Sequence, residues 1–194
     1  MGNMQELMAQ VRHRVSVEDY HRMAAAGIFG EDDRVELIDG EVVDMSPIGS
    51  RHGGVVKRLT QAFSVVGQRA IVSVQDPLRL GLGSEPQPDL MLLEPRDDFY
   101  AEAHPESGDV LLLIEVGDTS ARFDREVKLP LYARHGIREV WLIDLDTRQV
   151  EVCRRPLPEQ ANYADRTILA AGTIAPAALP DCLIDIGQLF PWTI

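Results

Sequence analysis

One charged residue interrupts the most strand-like segment of the sequence, DVLLLIEVGDTS (Asp109 to Ser120). Within it, the apolar residues Val110 to Ile114 run without a break, Glu115 follows, and apolar Val116 comes next. Such a run between turn-like residues is typical of a buried β-strand, although a short buried helix gives the same pattern. An unpaired buried carboxylate costs on the order of several kcal/mol. The segment therefore predicts a cation or a metal next to Glu115.

Two helices and a hairpin are predicted before this segment. Ser16 is a good N-cap and predicts a helix that ends near Gly27. The following RVELIDGEVVDM predicts a β-hairpin, because Asp39 and Gly40 suit a two-residue turn with positive φ. Apolar residues at helical spacing predict a second helix over residues 52–68.

Strands dominate the rest of the predicted fold. One strand each is predicted in AIVSVQDPLRL and PDLMLLEP, and two in REVWLIDLDTRQVEVCRR. Pro77 should place the first of them at a sheet edge, and Pro130 should kink or break a helix predicted over residues 119–134. A short strand and a helical turn are predicted in PDCLIDIGQLF. This mixture predicts a single α/β domain (α+β, with a mixed sheet) over residues 1–194.

Charge and composition limit the partners. The formal net charge is −12, whereas proteins that bind nucleic acid usually carry a basic footprint. Residues 49–80 are an exception, with five basic side chains and one acidic, although a solvated helix face explains them equally well. The absence of a secretory signal, of an apolar run of about 18 residues and of a disulfide framework predicts a cytoplasmic protein with no membrane partner.

A second acidic residue is predicted to meet Glu115. Asp89 follows Pro88 at the start of a predicted strand, and neighbouring strands would bring the two carboxylates to one edge of the sheet. Hard divalent cations such as Mg²⁺ prefer carboxylate oxygens, together with water and phosphate oxygens. Lys128 lies on the following helix and could place an ammonium group at the same point.

The order Glu36, Pro88-Asp89, Glu115 and Lys128 resembles the PD-(D/E)XK nuclease superfamily. The longer matching text is ELIDGEVVDMSP, QDPLRL, QPDLMLLEP and LLLIEVGDTSARFDREVKLPLYARHGIREVWLID, and it resembles the bacterial Uma-two family of small predicted restriction endonucleases over residues 16–190. The resemblance implies a restriction-endonuclease-like core and a Mg²⁺-dependent endodeoxyribonuclease, with Mn²⁺ as a substitute. It also implies catalytic roles for all four residues.

The resemblance departs from the superfamily pattern at one position. The superfamily places lysine two residues after the second acid, where this chain has Gly117. The resemblance assigns the lysine role to Lys128 instead, and its metal ligands to Asp89 and Glu115. KLPLY, which ends at Tyr132, also resembles the Gln-x-x-x-Tyr element of recombination-type exonucleases, with Lys in place of Gln.

Four further residues are candidates to face the substrate: His52, Lys57, Arg58 and Tyr132. Each also has a structural interpretation, since His52 could cap a helix and Tyr132 could belong to the core. Glu36 alternates with apolar neighbours and could be a solvated strand residue. DNA is the expected substrate. Two alternatives remain: a non-catalytic, dimeric binding or regulatory protein of the same fold, and a hydrolase of smaller phosphoesters.

Overall fold

The computed structural model describes residues 12–30, 32–118 and 120–192. The chain separates into two compact units. The smaller unit comprises Met1–Met45 and Arg79–Pro86, and the larger comprises Ser46–Leu78 and Gln87–Ile194. The expectation of one domain over residues 1–194 stays a prediction.

The smaller unit contains the predicted N-terminal helix and hairpin. Helix α1 (Val17–Ala25) begins after Ser16, whose Oγ accepts a hydrogen bond of 3.1 Å from the backbone N–H of Asp19. Strands β1 (Val35–Ile38) and β2 (Glu41–Asp44) pair antiparallel. Asp39 and Gly40 connect them with φ angles of 47° and 77°, as a two-residue turn of this kind requires. Both predictions are confirmed.

The larger unit is built on a six-stranded mixed sheet in the order β3-β4-β5-β6-β7-β8. Its strands are β3 (Ile71–Ser73), β4 (Leu90–Leu93), β5 (Val110–Gly117), β6 (Glu139–Asp144), β7 (Gln149–Leu157) and β8 (Asn162–Leu169). β5 and β6 are parallel, and every other neighbouring pair in this sheet is antiparallel. A separate pair is formed by β9 (Thr173–Ile174) and β10 (Ile184–Asp185). The predicted α/β class with a mixed sheet is confirmed.

Helices flank this sheet. They are α2 (Ser50–Phe63), the short α3 (Ala121–Phe123), α4 (Leu129–Arg134) and the short α5 (Ile186–Leu189). The apolar side of α2 packs on Ile114 and Val116 of β5 and on Trp141 of β6, in one continuous core. Among the described residues, no helix has the length and apolar character to cross a lipid bilayer.

The break predicted at Pro130 takes the form of a single π turn over Asp124–Lys128. Pro130 has no N–H to donate, and its ring clashes with the carbonyl four residues earlier, that of Glu126. The chain widens by one residue, so that the N–H of Leu129 reaches the carbonyl of Asp124. The regular helix then resumes as α4.

Two strands differ from the sequence prediction. β3 covers only three residues of AIVSVQDPLRL, although it lies at the predicted sheet edge. β8 was not predicted. Tyr163 is the only fully buried residue of β8, so this edge strand lacks the apolar alternation that identifies half-buried strands.

Candidate active site

Glu115 points to the face of the sheet opposite to helix α2. Side chains alternate along a strand, and its neighbours Ile114 and Val116 both lie in the core under α2. Glu115 therefore faces the helical segment that follows β5. Glu115 is only 2% exposed, so the groups around it determine how favourable its negative charge is.

Asp89 immediately precedes β4 and lies close to Glu115. β4 and β5 pair antiparallel, and the last pair of the ladder is Leu90 opposite Ile114. Asp89 comes one residue before this pair and accepts the backbone N–H of Val116, the neighbour of Glu115 in β5. Its charge is one of those that raise the pKa of Glu115, so the two carboxylates lie near each other at this end of β4.

Three donors hold the Asp89 carboxylate. Oδ2 accepts the backbone N–H of Val116 at 2.8 Å. Oδ1 accepts from His52 Nε2 at 2.9 Å and from the side-chain amide of Gln75 at 3.3 Å. A carboxylate fixed by three donors keeps one orientation, as a ligand or a catalytic group requires.

His52 is a helix residue rather than a cap. It lies in the first turn of α2, whose N-cap is Gly49, so the capping interpretation is wrong. Because a carboxylate oxygen accepts, Nε2 of His52 is the donor in this contact. Nδ1 is buried and has no hydrogen-bond partner among the described residues. The hydrogen bond from Nε2 makes His52 a support for Asp89.

Lys128 and Tyr132 both bind Glu115. They are four residues apart on the π turn and α4, so they project from the same side of the helical segment. Lys128 Nζ lies 3.2 Å from Glu115 Oε1, and the Tyr132 hydroxyl donates to the same oxygen at 2.5 Å. Both residues are buried. Lys128 is thus the cation that the sequence predicted beside Glu115.

One ammonium group does not balance the negative charge around Glu115. The pKa of Glu115 is raised to about 8, chiefly by burial; the charges of Asp124 and Asp89 also raise it, while Lys128 and the hydrogen bond from Tyr132 lower it. Asp124 is itself buried and lines the same small depression as Glu115. The charges of three carboxylates thus act on one another at this site, with the ammonium group of Lys128 beside Glu115.

The carboxylate groups at this site are of the kind that bind a divalent cation. Mg²⁺ takes oxygen ligands, commonly one or two carboxylates with water filling the remaining positions. Asp89 and Glu115 are the residues that would hold it, and the uncompensated negative charge supplies the electrostatic reason. Protonation of Glu115 is the competing way to remove that charge.

The backbone explains why no lysine occupies position 117. A Cβ atom added to Gly117 would lie 2.5 Å from Cα of Ala121 and 2.6 Å from its Cβ. Real contacts are never this short, so the first turn of α3 leaves no room for a side chain there. The ammonium group reaches Glu115 from the helical segment instead.

Three sequence candidates remain: Lys57, Arg58 and Glu36. Lys57 and Arg58 are exposed on α2. Glu36 is in the smaller unit, on β1, and is only 3% exposed, so its interpretation as a solvated strand residue is wrong. The catalytic role of Glu36 stays a prediction.

Two residues at this site were not selected from the sequence. Asp124 lies four positions before Lys128, which was the available signal that both face β5. Gln75 contacts Asp89 although no pattern marks it. Its φ of 56° is uncommon for a residue other than glycine. No local pattern predicts left-handed backbone at this position, so Gln75 had no detectable signal.

Comparison with known proteins identifies the family of this chain. The sequence profile of the Uma2 family, described as "Putative restriction endonuclease", matches residues 17–186. The chain belongs to the Uma2 family. The resemblance inferred from the sequence motifs is confirmed. A search of the curated proteins finds no match.

A solved structure shares the fold of this Uma2 chain. It is a chain from Anabaena variabilis ATCC 29413, described as "a putative nuclease belonging to DUF820". The TM-score is 0.71 at 16% sequence identity, and the alignment covers 92% of the Uma2 chain and 98% of the other. At this identity the likeness establishes the fold alone.

Proposed function

We propose that this Uma2 protein is a Mg²⁺-dependent endonuclease that hydrolyses phosphodiester bonds in DNA, with Mn²⁺ able to replace Mg²⁺. The observation that carries the proposal is the proximity of Asp89, at the start of β4, to Glu115 of β5, which contacts the buried ammonium of Lys128. Mg²⁺ bound there supplies polarisation of a phosphate oxygen and a lower pKa for a water molecule.

The protein's own residues supply orientation and charge. Asp89 is pre-oriented by Val116, His52 and Gln75, so no reorganisation is required when a cation binds. Lys128 lies within hydrogen-bond distance of Glu115, so its ammonium can also offset negative charge that develops on a phosphate at the same place.

Tyr132 restricts the movement of Glu115. Its hydroxyl donates to the same oxygen as Lys128, and its ring is fully buried, so the phenol has no freedom to turn away. A Glu115 side chain fixed in this way presents a single geometry to a cation. We assign Tyr132 a positioning role rather than contact with substrate.

Substrate approach falls to the exposed cations of α2. Lys57 and Arg58 lie on the solvent side of that helix, where Lys57 can contact a phosphate group and Arg58 can add attraction at longer range. The net charge of −12 opposes DNA at long range, so binding should weaken steeply as salt concentration rises.

The same acidity favours a second candidate function. A non-catalytic, dimeric binding or regulatory module would not need to attract a polyanion, and a net charge of −12 suits such a role. Cleavage assays separate the two candidates, because the module would bind a partner and leave DNA intact. The homodimer itself stays a prediction.

The test compares three proteins prepared identically: wild type, Asp89→Asn and Asp181→Asn. Both variants remove one negative charge without changing shape, but Asp181 is an exposed residue paired with Arg69. With Mg²⁺ we expect wild type and Asp181→Asn to cleave DNA and Asp89→Asn to lose cleavage, and a chelator should stop the reaction.

Each alternative result has a clear meaning. Equal cleavage by all three proteins would indicate a contaminating nuclease and would contradict the assignment of Asp89. No cleavage by wild type over single-stranded, duplex and supercoiled DNA would favour the binding module. Circular dichroism of each protein shows whether a loss of activity reflects a loss of fold.

A further inference from the structure

A groove of about 660 Å³ runs along helix α2 in the larger unit. We call it the α2 groove. Its residues are Ile48, Gly53, Val56, Lys57, Thr60, Gln61, Ser64, Val74 and Gln75. Its volume lies within the range of about 300–1,000 Å³ that is common for small-molecule sites.

Gln75 connects the α2 groove to the candidate active site. It lines the groove, and its side-chain amide donates to Asp89 Oδ1 at 3.3 Å. Gly53 also lines the groove, and it follows His52 in the chain. The ring of His52 donates to the same oxygen, Asp89 Oδ1. A molecule whose reacting group lies at Asp89 would therefore extend directly into the groove.

The backbone of Gln75 is held in an unusual conformation. Its φ of 56° lies in the left-handed region, which is unfavourable for a residue with a side chain. Strain of this kind persists where the surrounding structure fixes it, and it concentrates at functional sites. At Gln75 the left-handed backbone directs the side chain to Asp89, beside the α2 groove.

The chemistry of the groove suits a flat heteroaromatic ring. Ile48, Val56 and Val74 provide aliphatic surface, and Ile48 remains 46% exposed. Gln61 provides a side-chain amide to the edge of a ring, whereas the Thr60 hydroxyl already donates to the carbonyl of Val56 and serves only to shape the groove.

A positive charge at the rim of the α2 groove suits the phosphate of a nucleotide. Lys57 lines it and is exposed, so its ammonium can pair with a phosphate next to the ring. An aliphatic floor, an amide for a ring edge and a cation for the adjoining phosphate can together hold a base and its phosphate.

We propose that the α2 groove binds an unpaired nucleobase adjacent to the phosphate that is cleaved. The proposal rests on the nuclease function above and specifies its substrate as a strand with unpaired bases. Paired bases keep their faces stacked inside the duplex and cannot enter a groove in this way, whereas every unpaired base offers a flat face for contact.

Two adjacent residues of α2 provide a matched test. Lys57→Glu and Arg58→Glu make the same charge reversal at neighbouring exposed positions, but only Lys57 lines the α2 groove; Arg58 lines a different depression beside Leu183. Long-range repulsion is therefore nearly equal in both. Binding is measured by fluorescence anisotropy in Ca²⁺, with a labelled single strand of about 16 nucleotides, whose integrity is checked afterwards.

Lys57→Glu should weaken binding of the single strand about tenfold, and Arg58→Glu by about threefold or less. Wild type should bind the single strand more tightly than the same sequence as a duplex. It should also prefer the single strand to an abasic strand, which keeps the phosphates and removes the bases. Equal affinity for the abasic strand, equal or tighter binding of duplex, or equal effects of the two charge reversals would overturn the proposal.

A steric variant tests the groove independently of charge. Thr60→Phe should fill it and abolish the preference for bases, while Thr60→Val, which has nearly the volume of threonine, should retain the preference. Thermal unfolding of both variants shows whether they fold. A Thr60→Phe protein that folds and keeps the preference would contradict the groove.

Cleavage of the same oligonucleotides in Mg²⁺ separates this proposal from the nuclease function. Cleavage that depends on Asp89 but shows no preference for unpaired bases would refute the groove and leave the function intact. Groove-dependent binding of single strands without cleavage by wild type would refute the nuclease and support the groove.

Discussion

Replacing Glu115 with Gln should change how the stability of the protein depends on pH. The carboxyl of Glu115 has a pKa of about 8 in the folded protein, against 4.5 for an ordinary glutamate, chiefly because it is buried. The folded state therefore binds this proton more tightly than the unfolded state. This contribution to stability is complete below about pH 4.5 and is lost as the pH rises towards 8.

The size of the effect follows from the pKa difference. At about 1.4 kcal/mol for each pH unit, the change from 4.5 to about 8 corresponds to at most about 5 kcal/mol. Relaxation and water penetration around a buried charge reduce such values, so we expect about 2–3 kcal/mol between pH 5.5 and pH 8. Gln does not titrate, so Glu115→Gln should lack this decrease.

The assay is urea unfolding of metal-free protein at pH 5.5 and at pH 8. The comparison uses the difference between the two pH values for each protein, which largely cancels the cost of leaving Lys128 without its carboxylate partner. Glu126→Gln is the control, because Glu126 is an exposed residue paired with Arg122. Its pH dependence should equal that of wild type.

Divalent cations should stabilise the protein in the same pH range. Metal ligands must be deprotonated, so Mn²⁺ or Mg²⁺ should stabilise wild type more at pH 8 than at pH 5.5 and should not stabilise Glu115→Gln. Parallel pH profiles for wild type and Glu115→Gln would refute the pKa argument. Equal stabilisation of both by Mn²⁺ would exclude Glu115 as a ligand.

Further outcomes follow from packing, charge and burial. Gly117→Ala should destabilise the protein by about 1–3 kcal/mol in chemical denaturation, because the new Cβ has no space, whereas Gly54→Ala on α2, where a Cβ meets no atom within 4 Å, should be neutral or stabilising. Lys128→Ala should slow cleavage in a single-turnover assay while calorimetry still detects Mn²⁺ binding; unchanged cleavage would remove Lys128 from the mechanism. Burial raises the pKa of the Cys153 thiol to about 12 and also raises that of Cys182, so a thiol reagent at pH 8 should modify both only after unfolding; fast labelling of the folded protein would contradict this.

The sequence predicted features that depend on neighbouring residues in the chain. The apolar run around Glu115 identified β5, and the pair Asp39-Gly40 identified the hairpin turn, because strand burial and turn geometry leave local patterns. Pro130 correctly indicated a break in the helix. It could not indicate a π turn, since the form of the break depends on which carbonyl the next free N–H can reach.

The sequence did not predict features that depend on contacts between residues far apart in the chain. The carboxylate of Asp124 faces Glu115 only because the π turn presents it to β5, and an acidic residue on a predicted helix is usually solvated. Gln75 reaches Asp89 through a left-handed backbone that no local pattern indicates. Strand β8 is mostly polar, so its place in the sheet comes from pairing with β7 rather than from burial.

The π turn makes the candidate site sensitive to the length of the chain. A π turn is equivalent to an α-helix with one residue inserted, and each residue of an α-helix turns the chain by about 100°. Deleting one residue of the π turn would remove this extra residue and bring the ring of Pro130 against the carbonyl four residues earlier. Inserting one residue before Lys128 would turn its side chain away from Glu115 by about 100°. Arg122 and Glu126 are exposed and pair only with each other among the described residues, so their identities are free to vary. This segment should therefore tolerate substitutions at exposed positions and reject insertions and deletions.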